Sequence, residues 1–414
     1  MRWLAVRPAG HLRTRAGREA PERPGRARAL IGLALLTVPF LGYAPPADAT
    51  PAAAECDPAP GVVKLPGGEP WAQKRLDIKT AWRLSTGDGV RVAVIDSGLD
   101  VKHPQLPWLS AFVDFTGTGY TDCVGHGTAV TGIIAGRVYP GVTFHGVAPR
   151  AAVIELKQSS QAEGHVASLA AAIDKAVELK ADVINISIKA AHNPTLKAAV
   201  QNALARDIVI VAAAGNITDK NEDVPAYPGS YPGVLAVGSA TADGRRADSS
   251  NTATPVGILG PGVAITAPWP RGAYRLDLEG SSFGAAYVSG TAALVRARFP
   301  HLTQEQVRRR LIATADGAFG KGTGAGMVNP VQAVSAVLPS ESEGDPVVAA
   351  PAPPPIPEGA IAKAPPEDVA ARNGSLAVAA SALILLCVAG AFTRVLPLGR
   401  SRGWRAGPRP DDGS

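Results

Sequence analysis

Five short runs of the chain are apolar at almost every position: VRVAVID from Val90, AAVIEL from Ala151, DVINIS from Asp182, DIVIVAAAG from Asp207 and GVLAVGSA from Gly233. A strand with one wet face alternates polar and apolar residues, so runs lacking that alternation suit strands buried on both faces of a parallel sheet. Two intervening stretches, SLAAAIDKAVELKA from Ser168 and NPTLKAAVQNALARD from Asn193, carry apolar residues at three- and four-residue spacing. They have the length of crossover helices. The pattern predicts an α/β domain over residues 77–337, a parallel sheet with helices on both faces. In such a domain the ligand site lies beyond the carboxyl ends of the strands.

The ends of the chain follow other patterns. An Arg-rich start leads into ALIGLALLTVPFLGYA, Ala29 to Ala44, and then ADA at Ala47 to Ala49, which a signal peptidase accepts after Ala49. Residues 1–49 are expected to be a cleaved signal; because the charged region is long for one, retention as an anchor is the alternative. LAVAASALILLCVAGAFT, Leu376 to Thr393, is 18 residues without a charge, enough to span a bilayer core, so a transmembrane helix is expected within 373–397. Nine prolines between Leu338 and Ala370 make 338–372 an extended tether. Residues 50–76 are then an N-terminal extension and 398–414 a cytoplasmic tail.

Locating the charge changes its meaning. The net +6 divides into +6 for residues 1–28, +3 for 394–414 and −3 for everything between. No basic face remains for nucleic acid, and five arginines after the apolar helix place the C-terminus in the cytoplasm and the folded domain outside the membrane. With 46% hydrophobic against 18% charged residues, the middle can build a core and is not a disordered segment. Of three cysteines, Cys387 lies in the membrane segment, which leaves Cys56 and Cys123 in an oxidising compartment, where they are expected to pair. Closing a loop of about 67 residues contributes roughly 4 kcal/mol on the chain-entropy model.

Candidate chemistry sits where the sheet pattern wants it. VIDSGLD puts Asp96 at the end of the first buried strand, GHGTAVTGIIAG puts His126 at a helix start, and EGSSFGAAYVSGTAALV puts Ser281 and Ser282 at another. A serine ahead of small apolar residues is also an ordinary helix cap, so the pair alone carries no chemistry. Asp, His and Ser in this chain order resemble the triad of subtilisin-type serine proteases, and VAAAGN supplies a fourth ordered motif at Asn216. The resemblance covers about 260 residues. Within that superfamily the chain is most similar to the mycosins, membrane-anchored subtilases associated with type VII secretion. FHGVAPRAAVIELKQSS, the cysteine pair, and the series of signal, protease, proline tether and membrane helix carry that likeness.

The resemblance implies roles. Ser282 is the nucleophile, His126 its general base and Asp96 the group that orients and stabilises the imidazole. The Ser282 backbone N–H and the Asn216 side chain form the oxyanion hole. Ser187 lies on the edge that takes up substrate as an added β-strand. Register without a gap from Gly280 to Gly290 gives Ser281 the place of the family's threonine. Three positions depart from the family pattern: Ser281 for Thr, Gly284 for Ala, and Ala286 for a Pro near the helix start. Gly284 is expected to loosen its turn by up to about 1 kcal/mol. Ile188 and Lys189 replace the usual Leu and Gly, so the specificity pocket does not transfer.

Other histidines stand outside the chemistry: His103 in DVKHPQL lacks the GHGT context, and His145 and His165 read as structural or surface residues. No metal-ligand spacing appears, and no cofactor is expected. The 27 or so residues between Ala49 and Asp77 are too few for a folded inhibitory pro-domain, so the extension is expected to be a permanent wrap pinned by Cys56. The resulting expectation is an extracytoplasmic, membrane-anchored serine endopeptidase acting on exported proteins beside a membrane-embedded secretion complex. A scaffold with slow or dispensable proteolysis is the alternative.

Overall fold

The computed structural model describes residues 56–341, except 66, 107–108, 161–164, 218–222 and 318–319, and residues 369–403. The signal segment and its cleavage point, most of the proline-rich tether and the end of the tail lie outside the described residues. The chain divides into two units, residues 1–335 and 336–414.

In the first unit the elements are α1 (Trp71–Leu76), α2 (Ile78–Ala81), β1 (Arg91–Asp96), β2 (Leu109–Asp114), α3 (His126–Ala135), β3 (Ala152–Lys157) and α4 (Val166–Glu178). They continue with β4 (Val183–Ile186), α5 (Pro194–Ala205), β5 (Val209–Ala213), β6 (Leu235–Ala240), β7 (Ile258–Pro261) and β8 (Ile265–Trp269). The last are β9 (Ala273–Leu278), α6 (Ser281–Arg298), α7 (Gln304–Ala313) and α8 (Pro330–Ser335). β1 to β7 form one parallel sheet in the order β2-β3-β1-β4-β5-β6-β7. The chain leaves β1 toward one edge and β4 toward the other, so their C-terminal loops diverge and open a crevice between them.

Apolar residues on both sides of each strand explain the two layers of helices. Val92, Val94, Val153, Val183, Val211 and Val237 pack against α3 and α6. Their neighbours Ala93, Ile95, Ile154, Leu156, Ile184 and Ile210 pack against Leu169, Ile173 and Ala176 of α4 and Leu196 and Val200 of α5. α4 and α5 have one buried stripe each, whereas α6 is buried on every side from Ser281 to Arg296. That is possible because Gly, Ala and Ser fill the closest approaches between buried Phe283, Tyr287 and Leu294. A Cβ on Gly290 would sit 2.5 Å from Val147, and one on Gly260 of β7 would sit 2.3 Å from the Gly284 carbonyl.

Four strands escape the sequence pattern. β2 is an edge strand, half-exposed and interrupted by Ser110; β7 has four residues, two of them Gly260 and Pro261; β8 and β9 form a separate antiparallel hairpin. The N-terminal extension joins that hairpin: Val62 bridges Tyr274, the Ala59 carbonyl accepts from Trp269 Nε1 at 2.6 Å, and Cys56 is disulfide-bonded to Cys123. In the second unit, α9 (Val369–Ser401) contains a stretch, Asn373–Ser401, long and apolar enough to cross a membrane. It extends past the expected span and through Pro397.

Candidate active site

β1 delivers Asp96 to the crevice, and the first residue of α3 is His126. Asp96 is 1% exposed, and its Oδ1 lies 2.7 Å from His126 Nδ1 while accepting the Ser97 N–H at 2.8 Å. With Nδ1 engaged, Nε2 is the nitrogen left to take up a proton. Burial pulls the imidazole pKa down, but the Asp96 charge, its hydrogen bond and the Asp122 charge outweigh that and hold it above the ordinary 6.5.

The start of α3 is built without an ordinary cap. Gly125 has φ 86°, and a Cβ there would lie 2.3 Å from the Trp269 ring, so only glycine fits. The capping falls to Asp122, 1% exposed, which accepts from Gly125 N–H at 2.8 Å, Thr128 N–H at 2.9 Å, Thr128 Oγ1 at 2.7 Å and Ser97 Oγ at 2.9 Å. Ser97 Oγ in turn accepts the Gly127 N–H at 3.0 Å. Asp122 therefore fixes the helix turn that carries the imidazole, and its charge suits a helix N-terminus. Sequence reasoning passes over it; an aspartate just ahead of a helix start is the available signal.

The two serines at the start of α6 separate cleanly. Ser281 is fully buried: its Oγ accepts the Gly215 N–H at 3.1 Å and its N–H donates to Asn216 Oδ1 at 2.9 Å. Ser282, 9% exposed, lines the crevice with Asp96, His126, Ser187 and Asn216, a cleft of about 750 Å³. Its hydroxyl donates to the Ser187 carbonyl at 3.0 Å, and Ser187 Oγ donates back to the Ser282 carbonyl at 3.1 Å. Asn185 and Ser289 extend this lattice at 2.9 Å each. In this rotamer no hydrogen bond joins Ser282 to His126, so the three residues share one cleft but only the Asp96–His126 pair is bonded.

The two groups that the resemblance names as oxyanion donors both lie at the start of α6 or beside it. Since Asn216 Oδ1 accepts from Ser281, its NH2 is the end left for a ligand, and the Ser282 N–H in the first turn of α6 has no intrahelical acceptor. Ile188 and exposed Lys189 form one wall of the cleft. Gly284 does not sit in a loose turn. A Cβ there would meet the Gly260 and Gly238 carbonyls at 3.0 and 3.1 Å, so backbone packing occupies the space the expectation left open. Ala286 is the sixth residue of α6, past the first turn, where an N–H can face the Ser282 carbonyl as a proline could not.

The remaining histidines lie elsewhere. His103 is buried with Nε2 3.0 Å from the Ala273 carbonyl, its pKa lowered chiefly by burial; it ties β1's loop to the hairpin. His145 Nε2 meets Glu69 at 2.9 Å, and His165 is exposed at the cap of α4. Among the described residues no group of three or more His, Cys, Asp or Glu is placed to hold a metal ion.

Against known proteins, residues 87–333 match the Peptidase S8 family, described as the subtilase family. The chain is a subtilase. It is 35% identical to Mycosin-1 of Mycolicibacterium smegmatis over 347 residues, covering 69% of this chain and 77% of that one. Among solved structures it resembles MycP1 with its N-terminal propeptide removed, at TM-score 0.61 and 36% identity over 66% of this chain and 98% of that one. It also resembles the MycP3 protease from the type VII (ESX-3) secretion system, at TM-score 0.59 and 36% identity over 67% and 91%. This subtilase is a mycosin-like serine endopeptidase.

Proposed function

We propose that this subtilase cleaves exported proteins outside the membrane with Asp96, His126 and Ser282, anchored through α9 with its C-terminus in the cytoplasm. The observation that carries the reading is the 2.7 Å Asp96–His126 bond facing the cleft that Ser282 lines. Catalysis begins when the Ser282 hydroxyl turns from the Ser187 carbonyl to His126 Nε2, which takes its proton as Oγ attacks the scissile carbonyl. The same turn frees the Ser187 carbonyl to accept an N–H from a substrate strand. Charge developing on the substrate oxygen is met by the Ser282 N–H and the Asn216 NH2, and a side-chain amide in that place is worth about 3 kcal/mol to subtilisin. His126 then returns the proton to the leaving amine, and water repeats the sequence on the acyl-enzyme.

The exported substrates and the neighbouring membrane complex are drawn from the likeness to the type VII protease MycP3 and from the apolar stretch of α9. Domain limits are placed at 50–76 for the wrap, 77–337 for the peptidase, 338–372 for the tether and 373–397 for the anchor. A second reading, a scaffold with slow proteolysis, is favoured by the hydroxyl of Ser282 being held on Ser187. Labelling of the detergent-solubilised chain with a fluorophosphonate distinguishes them. Loss of label in Ser282→Ala with retention in Ser281→Ala is expected; a folded parent that takes no label would move the scaffold reading ahead.

A further inference from the structure

Beneath the Asp96–His126 pair lies an acid that the triad reaction does not use. Glu155 is on β3, paired in register with Val94 of β1 while Asp96 pairs with Lys157, so Glu155 and Asp96 project to the same face of adjacent strands two residues apart. Both are buried, at 0% and 1% exposure. Glu155 Oε2 accepts from Thr131 Oγ1 of α3 at 3.1 Å, one turn and a half beyond His126; Glu155 Oε1 and Asp96 Oδ2 have no hydrogen-bond partner.

Two carboxylates cannot both be ionised in such a place without a cation between them. Lys157, whose charge reaches Glu155, spends its ammonium on the Gly119 and Thr121 carbonyls at 3.0 and 2.7 Å, and Asp114 and Asp122 share its field. Asp96 Oδ1 already accepts from two donors, His126 Nδ1–H and the Ser97 N–H. Glu155 is the member left to carry a proton. Its surroundings agree: burial first, then the charges of Asp96 and Asp122, push its carboxyl well above the usual range, against the Thr131 bond and the Lys157 charge.

We propose that Glu155 is a positioning residue for the Asp96–His126 pair: an uncharged carboxylic acid whose O–H serves the free Asp96 oxygen, directly or through one bound water. The proton supplies the donor that Asp96 Oδ2 lacks, and neutrality keeps a third carboxylate charge away from His126, which Asp96 and Asp122 already hold in favour of its protonated form. A neutral buried acid used as a hydrogen-bond donor is a known device of active sites. The proposal deepens the triad reading and rests on it only for its activity readout.

The test uses the full chain in detergent with histidine labelled for NMR and three forms: parent, Glu155→Gln and Glu155→Met. Gln is neutral and keeps a donor, so the His126 titration midpoint should stay in place and the fluorophosphonate labelling rate should hold within about threefold. Met fills the volume without a donor, so the labelling rate should fall about tenfold or more, and Gln should not show this loss. Infrared spectra of the parent should contain a protonated-carboxyl band that both variants lack. A fall of about one pH unit or more in the His126 midpoint on Glu155→Gln would show that a charge had been removed, and would overturn the proposal. So would absence of the infrared band, or a folded Glu155→Met that labels like the parent. If the parent itself takes no label the triad reading fails, while the His126 midpoint and the infrared band still decide the protonation of Glu155.

Discussion

The two faces of the sheet are built from the same strands and do different work. Toward α4 and α5 the strand residues are Ala93, Ile95, Ile154, Leu156, Ile184, Ile186 and Ile210, an aliphatic layer. Toward α3 and α6 the layer begins as aliphatic, with Val92, Val153 and Val183, and becomes polar as the strands near their carboxyl ends, at Asp96, Glu155 and Asn185. These three each touch one of the two helices that start at the cleft: Asp96 meets His126, Glu155 meets Thr131, and Asn185 meets Ser289. Buried polarity is costly unless paired. Its confinement to one face, under the two helices that start at the cleft, marks that face as the one shaped by chemistry and the other as filler that holds it up.

The sharpest way to break this comparison is at Asp96. Asp96→Asn keeps the shape but loses the charge and fixes the wrong imidazole tautomer, so kcat/KM should fall by about 10⁴-fold with the fold intact by circular dichroism. In the proposed mechanism catalysis needs neutral His126, whose pKa lies above the ordinary value. Activity should therefore be absent at low pH and appear only as pH rises past a midpoint above 6.5. In stability the sign is reversed: a raised histidine pKa contributes stability that is present at low pH and lost as pH rises through the folded-state value. A parent midpoint below 6.5 would contradict the electrostatics given for His126.

How much of this is readable from sequence follows the same division. The aliphatic face announces itself, because runs such as VRVAVID and DVINIS have a composition that depends only on burial. The placing of Asp96, His126 and Ser282 in one cleft is also legible, the first two from motifs at a strand end and a helix start and Ser282 from the family register. Their supports are not. Glu155 reads as a break in an apolar run, and its meaning emerges only once β3 is laid beside β1. The Ser282 rotamer depends on Ser187, 95 positions away in sequence, and the β8–β9 hairpin gains its third partner from residues near Val62, over 200 positions distant. Gly284 reads as looseness because its neighbours Gly238 and Gly260 belong to other strands.

The filler face can be tested by removing volume. Ile173 of α4 is fully buried among Ile95, Ile184 and Ile186. Ile173→Ala should cost about 2–5 kcal/mol in denaturant unfolding of the solubilised chain. It should leave the pH midpoint of activity where it was, because no polar contact of the Asp96–His126 pair crosses the sheet. A shifted midpoint would mean that the two faces are coupled and that the division drawn above is too sharp.

The smallest effect is expected at Gly284, and it separates two ideas about why the residue is there. Judged by helix propensity alone, Gly284→Ala should stabilise α6 by up to about 1 kcal/mol. Judged by packing, the new Cβ meets two strand carbonyls at 3.0 and 3.1 Å, and neither is the free end of a flexible side chain. β7 would have to retreat by a few tenths of an ångström, and α6 is enclosed on every side, so the strain cannot be shed into solvent. The backbone clash should outweigh the propensity gain, giving a net loss of about 1 kcal/mol in unfolding free energy. A labelling rate that falls with it would show that the backbone contact between α6 and β7 also sets the position of Ser282 two residues earlier. A rate unchanged beside a measured loss of stability would place Gly284 with the filler, even though it lies on the face that carries the chemistry.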